Sequence, residues 1–282
     1  MPKGSYLELI GGEVGLLSPL KLANLINLVE YPFFIIQTNG TLFSSDYLDV
    51  FEAFISHDKR IAFSVSIDGP EVITDKYRGK GVYKRVLKNS LELLNRGYCI
   101  QGYGVLYEDL DLSWVDSLPF KWRFQLPKDG LSIERQKELA KQLLATGKEF
   151  LYNELMPNLC VHSGNKCSSV LIADEGFSPC DRTPDIWVDS VRLCENYFKD
   201  YLTNSDCVSC EIHSFCNSGC PAWRQNGKAL GCTLLKELIT GLSNRYKVSI
   251  QKMLKYLWRL ALRELYHIPT MGEIRKWKSC HK

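Results

Sequence analysis

The chain has 282 residues, 45% of them apolar and 24% charged, with a net charge of +3 at pH 7. That length buries a core comfortably, and no stretch approaches the ~18 consecutive apolar residues of a membrane span. The charge is uneven: residues 233–282 hold 11 Lys/Arg against 3 Asp/Glu, which leaves the rest net acidic. A basic end of this kind serves an acidic partner or forms a solvated helix face, and the second is the plainer reading. Neither nucleic acid nor membrane is expected as a partner. The opening Met1-Pro2-Lys3-Gly4-Ser5-Tyr6 has no apolar signal core, so a cytoplasmic location is expected.

Residues 7–10 read as a short strand ended by Gly11-Gly12, and residues 19–30 as a helix with apolar side chains at 22, 25, 26 and 29. A strand at 33–36 stops at Thr38-Asn39-Gly40. A helix over 46–56 follows, with Ser44 or Ser45 as its N-cap. Residues 61–67 form a strand closed by Asp68-Gly69-Pro70, and 83–95 a helix ended by Gly97. Residues 99–106 and 122–124 are strands around an irregular segment near Trp114, and 133–152 is a helix. Five strand–helix units in a row predict an α/β fold, with a parallel sheet that is open or curled into a partial barrel. In such sheets ligands sit at the carboxyl ends of the strands. Glu13, Asn39, Ser66, Asp68, Tyr107 and Glu108 fall there, although a polar turn ends any strand. Past Cys232 the apolar spacing predicts one long helix to about residue 266, ended by Pro269.

Nine of the 11 cysteines lie between 160 and 232, and eight of them, all but Cys194, form two groups. Cys207, Cys210, Cys216 and Cys220 stand in C-x2-C-x5-C-x3-C order and Cys232 follows, while Cys160, Cys167 and Cys180 precede them. Four converging thiolates select zinc or an iron–sulfur cluster. Only one C-x2-C knuckle is present, and His162 and His213 are isolated, which favours iron–sulfur over a two-zinc module. Disulfides are the other bland reading, and nothing in the first residues indicates an oxidising compartment. Cys99, Cys194 and Cys280 have no companions at ligand spacing, and Cys99 reads as a small core residue.

This cysteine run, preceded by Gly176-Phe177-Ser178-Pro179-Cys180-Asp181, resembles the SPASM domain of radical S-adenosylmethionine (AdoMet) enzymes such as anaerobic sulfatase-maturing enzymes and peptide maturases. Gly11-Gly12-Glu13 resembles their GGE motif, which holds the AdoMet amino group. Residues 38–42, 64–70 and 75–81 resemble later barrel segments in the same order, and the resemblance covers about residues 6–242. It implies a partial (β/α) barrel over 1–155 lacking its first strand–helix unit. A loop-rich SPASM iron–sulfur domain over 156–235 and a C-terminal helix with a basic tail over 236–282 follow. By the same resemblance one auxiliary 4Fe-4S cluster takes Cys160, Cys167, Cys180 and Cys220, and a second takes Cys207, Cys210, Cys216 and Cys232. Gly11, Gly12, Glu13, Asn39, Ser66 and Asp68 are then AdoMet-binding candidates, and Asp181 matches the general base of sulfatase-maturing enzymes.

The implied activity is that of an oxidoreductase: AdoMet cleavage to a 5′-deoxyadenosyl radical that abstracts hydrogen from a peptide or protein substrate, with a redox partner protein supplying electrons. The chain departs from the family in several places. No C-x3-C-x2-C loop precedes Gly11, the Pro after GGE is Val14, and the usual His before Asp75 is Thr74. Gly176 and Cys180 are also separated by one residue fewer than is common. Two expectations follow: a shortened form of a maturase whose AdoMet cluster needs a further N-terminal segment, or a degenerate, non-catalytic iron–sulfur protein acting in peptide binding or electron transfer.

Overall fold

The computed structural model describes residues 6–152, 155, 171–173, 176–178, 205–216, 224–225 and 228–266. They fall into two compact units, one holding residues 6–124 and the other 125–265.

The first unit is built on a five-stranded parallel sheet whose spatial order is its chain order: β1 (Leu7–Leu9), β2 (Phe33–Thr38), β3 (Arg60–Ser66), β4 (Cys99–Val105) and β5 (Lys121–Gln125). Period-2 patterning sorts the side chains by face. Phe34, Ile36, Phe63, Val65 and Ile100 are buried, and burying each such side chain contributes about 1.5–3 kcal/mol. Helix α1 (Pro19–Leu28) starts where Ser18 accepts the Lys21 amide and Pro19 pre-sets the first turn, and it buries Leu22, Ala23 and Ile26. Helix α2 (Ser45–Phe54) starts on Ser44, which accepts the Tyr47 amide, and buries Leu48 and Phe51.

Helix α3 (Glu71–Arg78) was not expected from the sequence, being short and burying only Ile73 and Thr74. Helix α4 (Val82–Asn95) follows and buries Val86, Asn89, Ser90 and Leu93. Between β4 and β5 a 3-10 turn over Leu112–Ser117 carries Trp114 into an aromatic cluster with Trp122 and Phe124. A Cβ at Gly102 would stand 2.5 Å from the Trp122 ring, so only glycine lets that ring lie across β4.

In the second unit helix α5 (Ile133–Thr146) ends at Gly147, whose φ of 70° closes the last turn; the expected helix over 133–152 is therefore shorter. Two short antiparallel pairs follow, β6 (Leu171–Ala173) with β7 (Gly176–Ser178), and further along β8 (Arg224–Gln225) with β9 (Lys228–Ala229). Single turns α6 (Ser205–Val208) and α7 (His213–Cys216) lie between the pairs in sequence. The long helix expected past Cys232 is two helices, α8 (Cys232–Tyr246) and α9 (Ile250–Tyr266). Lys247 breaks them at φ 50°, its amide and that of Val248 satisfying the end of α8 on Asn244 and Ser243.

Helices α5 and α8 pack together. The buried Gln136 amide ties them, donating to Leu131 O at 3.0 Å and Leu230 O at 3.2 Å and accepting the Leu234 amide at 3.1 Å. Arg245 pairs with the buried Glu149 at 3.0 Å. Among the described residues no helix is long and apolar enough to cross a membrane.

Candidate functional site

In the first unit the turn after β1 and the carboxyl end of β2 meet at Glu13. The turn after β1 folds back so that Glu13 caps its own 3-10 turn, its Oε1 accepting the Gly15 amide at 2.8 Å. The same oxygen accepts the Thr38 hydroxyl at 2.5 Å, and Oε2 accepts the Asn39 amide at 2.7 Å. A carboxylate offers about four acceptor positions, so one on Oε2 stays open to a cationic donor. Tyr47 lies nearby, its phenol pushed up to about 12 by burial and then by the Glu13 charge. Gly11 and Gly12 are exposed and have open space where a side chain would stand. At φ 152° Gly11 holds a backbone conformation that favours glycine, and the bare backbone lets a ligand approach closely.

Asn39 turns its Oδ1 onto the Thr41 amide at 2.9 Å and the Thr41 hydroxyl at 2.7 Å, leaving its Nδ2 group without a partner among the described residues. Ser66, half-buried and in register with Tyr103, keeps its hydroxyl free in the same sense. Asp68 behaves differently. Its carboxylate, with the side chain only 1% exposed, receives Arg78 Nε at 2.7 Å, Arg78 Nη2 at 2.9 Å and the Val105 amide at 3.1 Å. It ties the ends of β3, β4 and α3, so it shapes the site through backbone rather than by offering oxygens to a ligand.

Two features were not singled out from the sequence. Thr38 is the buried hydroxyl that fixes Glu13 to β2. On the sheet face opposite Phe34, Phe63 and Ile100, Gln37, Ser64 and Gln101 stand in register across β2, β3 and β4. None of these three makes a side-chain hydrogen bond among the described residues, and only β3, where Phe63-Ser64-Val65-Ser66 alternates, carried a signal for them. The departures Val14 and Thr74 have structural jobs. Val14 is buried in the turn capped by Glu13, and the Thr74 hydroxyl, wholly buried, accepts the Gly69 amide at 3.1 Å and donates to Gly69 O at 2.7 Å.

In the second unit Cys207, Cys210, Cys216 and Cys232 line one hollow of about 380 Å³, counting its open mouth. The one-turn helices α6 and α7 carry Cys207 and Cys216, Cys210 lies between them, and Cys232 opens α8. All four are free thiols. Burial raises the Cys232 thiol above its usual range; the Cys207 and Cys210 charges push the same way, against Lys236 and Lys228. Asp206, His213, Lys228 and Lys236 share the lining, and Lys228 pairs with Asp206 at 2.5 Å. These flanking charges were not read as site residues, although Lys236 follows Cys232 by one helical turn. Among the described residues no group of three or more His, Cys, Asp or Glu is gathered closely enough to hold a metal ion. The thiols face a shared space without closing on one point. Cys160, Cys167, Cys180, Cys220 and Asp181 lie outside the described residues. Cys99 stands apart on β4, half-buried, its thiol raised by burial.

No protein-family model matches the chain, and no curated protein matches it in sequence. Its fold is similar to that of SuiB from Streptococcus suis, solved bound to S-adenosylmethionine, with a TM-score of 0.50 at 15% identity. The match covers 80% of this chain and 66% of that one, so the chain spans just under two thirds of that structure's length. At that identity the likeness concerns the fold alone: an α/β fold on a five-stranded parallel sheet.

Proposed function

We propose that the chain is a radical AdoMet/SPASM-type iron–sulfur protein, the greater part of a maturase that modifies a peptide or protein. The observation that carries this reading is the convergence of Cys207, Cys210, Cys216 and Cys232 on one hollow, in a chain whose fold is like that of a protein solved bound to AdoMet. Four thiolates facing one hollow are the donor set of a 4Fe-4S cluster. When bound, such a cluster supplies a site that accepts and returns an electron. Cys160, Cys167, Cys180 and Cys220 would hold a second one.

Toward AdoMet, Glu13 offers its open Oε2 position to the amino group, and Gly11 and Gly12 offer bare backbone. Asn39 Nδ2 and the Ser66 hydroxyl are donors suited to the ligand's carboxylate. Asp181 would serve as the base that takes a proton from the substrate, a carboxylate beside anionic sulfurs being suited to that task near neutrality. A C-x3-C-x2-C set does not occur ahead of Gly11 in residues 1–282. AdoMet cleavage would need such a set, with a redox protein as electron donor.

The second reading, a non-catalytic iron–sulfur protein that binds a peptide or passes electrons, is favoured by one observation. Thr74, at the place of the family's His, is sealed inside the turn it braces and has no face toward a ligand. Anaerobic reconstitution with iron and sulfide, followed by metal and sulfide analysis and AdoMet binding, tests both. Iron with acid-labile sulfide and bound AdoMet supports the first reading, and clusters without AdoMet binding support the second. A chain that takes up zinc and no iron removes both.

A further inference from the structure

We infer that Lys236 sets the charge balance of the four-thiol hollow, favouring the more negative, reduced state of the group held there. The inference rests on the cluster reading above and concerns this chain's own charges. Cys232 is the first residue of α8 and Lys236 lies four residues along, so both project from one helix face into the same hollow. The two other fixed charges on the lining cancel: Lys228 Nζ meets Asp206 Oδ2 at 2.5 Å. Lys236 makes no ion pair among the described residues, and its side chain is exposed. With Asp206 set against both Lys228 and Lys236, the lining keeps one net positive charge beside the four sulfurs.

One electron delivered to the held group adds one negative charge, and a nearby ammonium stabilises that state over the oxidised one. Lys236 therefore raises the midpoint potential. Asp206 opposes it, its pairing with Lys228 muting the effect. Substitutions at the two positions must then shift the potential in opposite directions, which a merely structural role for either residue does not predict.

The test uses the full chain, loaded anaerobically with iron and sulfide and titrated with dithionite as the one-electron reductant, each cluster followed by its paramagnetic resonance signal. Lys236→Glu is expected to lower the reduced-to-oxidised ratio of one signal about tenfold at a fixed potential, a shift of ~59 mV for one electron. Lys236→Gln should give about half that shift, and Asp206→Asn a shift of opposite sign. The second signal should stay in place. High salt should shrink all three shifts, because the mouth is open to solvent. A chain that takes up no iron overturns the cluster reading itself. One that takes up its iron and keeps the same potential in every variant, or shifts the same way in all three, overturns only the assignment to Lys236.

Discussion

The Glu13 carboxylate accepts the Thr38 hydroxyl at 2.5 Å and the Asn39 amide at 2.7 Å, fastening the turn after β1 to the carboxyl end of β2. Three donors fix the side chain in one orientation, with one oxygen position left for a ligand. Hydrogen bonds to a charged group contribute about 1.5–3 kcal/mol each. Glu13→Gln in the iron-loaded chain is therefore expected to weaken AdoMet binding about tenfold or more, read by equilibrium dialysis. Thr38→Val should weaken it less, since the carboxylate stays but loses one of its anchors. Equal affinity in wild type and Glu13→Gln would exclude Glu13 as the amino-group acceptor.

Asp68 and Arg78 form a two-pronged ion pair in which the Asp68 side chain is 1% exposed and that of Arg78 27%. Removing the cation leaves a buried carboxylate with only the Val105 amide against it. Arg78→Met is expected to cost about 3 kcal/mol, the lower end of the range for breaking a buried pair because Arg78 is partly solvated. Asp68→Asn combined with Arg78→Met should recover part of that loss, since no buried charge then remains. Denaturant unfolding measures both, and a double variant no more stable than the single one would contradict the pairing argument.

Much of this frame was legible in the residues. The apolar run Phe33-Phe34-Ile35-Ile36 and the Ser44 cap gave the start of β2 and of α2 where they occur. The misses came where local backbone overrode a periodic apolar pattern. Leu143, Leu144, Phe150 and Leu151 continue a helical spacing across Gly147, yet the glycine takes φ 70° and ends α5. Tyr246 and Ile250 keep the spacing across Lys247, which turns left-handed at φ 50°. The donor set at Cys207, Cys210, Cys216 and Cys232 was plain from spacing, but the lysines and the Asp206–Lys228 pair around it were not. The lysines reach the hollow from β9 and α8, and spacing near the thiols says nothing of where a later element folds back.

The thiols separate by unit, and so should the effect of replacing them. Cys99 sits in β4 with its thiol pKa raised by burial, while Cys232 lines the hollow with three other cysteines. Cys99→Ser is expected to leave the iron and sulfide content of the reconstituted chain unchanged. Cys232→Ser should remove the complement of one cluster, about four iron per chain, and leave the other. Loss of all iron would mean that the two sites form together, and no loss would take Cys232 out of the ligand set.

Asp75 shows how a stretch matched to the barrel motif serves the fold. Its Oδ2 accepts the Gly81 amide at 2.6 Å and its Oδ1 the Tyr83 amide at 2.9 Å, satisfying the first free donors of α4. The Tyr83 and Gly81 amides hold its pKa below the usual carboxylate range. The native state thus binds its proton less readily than the unfolded chain, where an aspartate titrates at about 3.9. The stabilisation is fully present above roughly that pH and is lost as pH falls through the lower native value. Asp75→Asn should reduce the melting temperature near neutrality and flatten its fall between about pH 4 and the native pKa. Melting curves across acid pH decide the matter: if the variant and the wild type fall in parallel, the Asp75 charge does not cap α4.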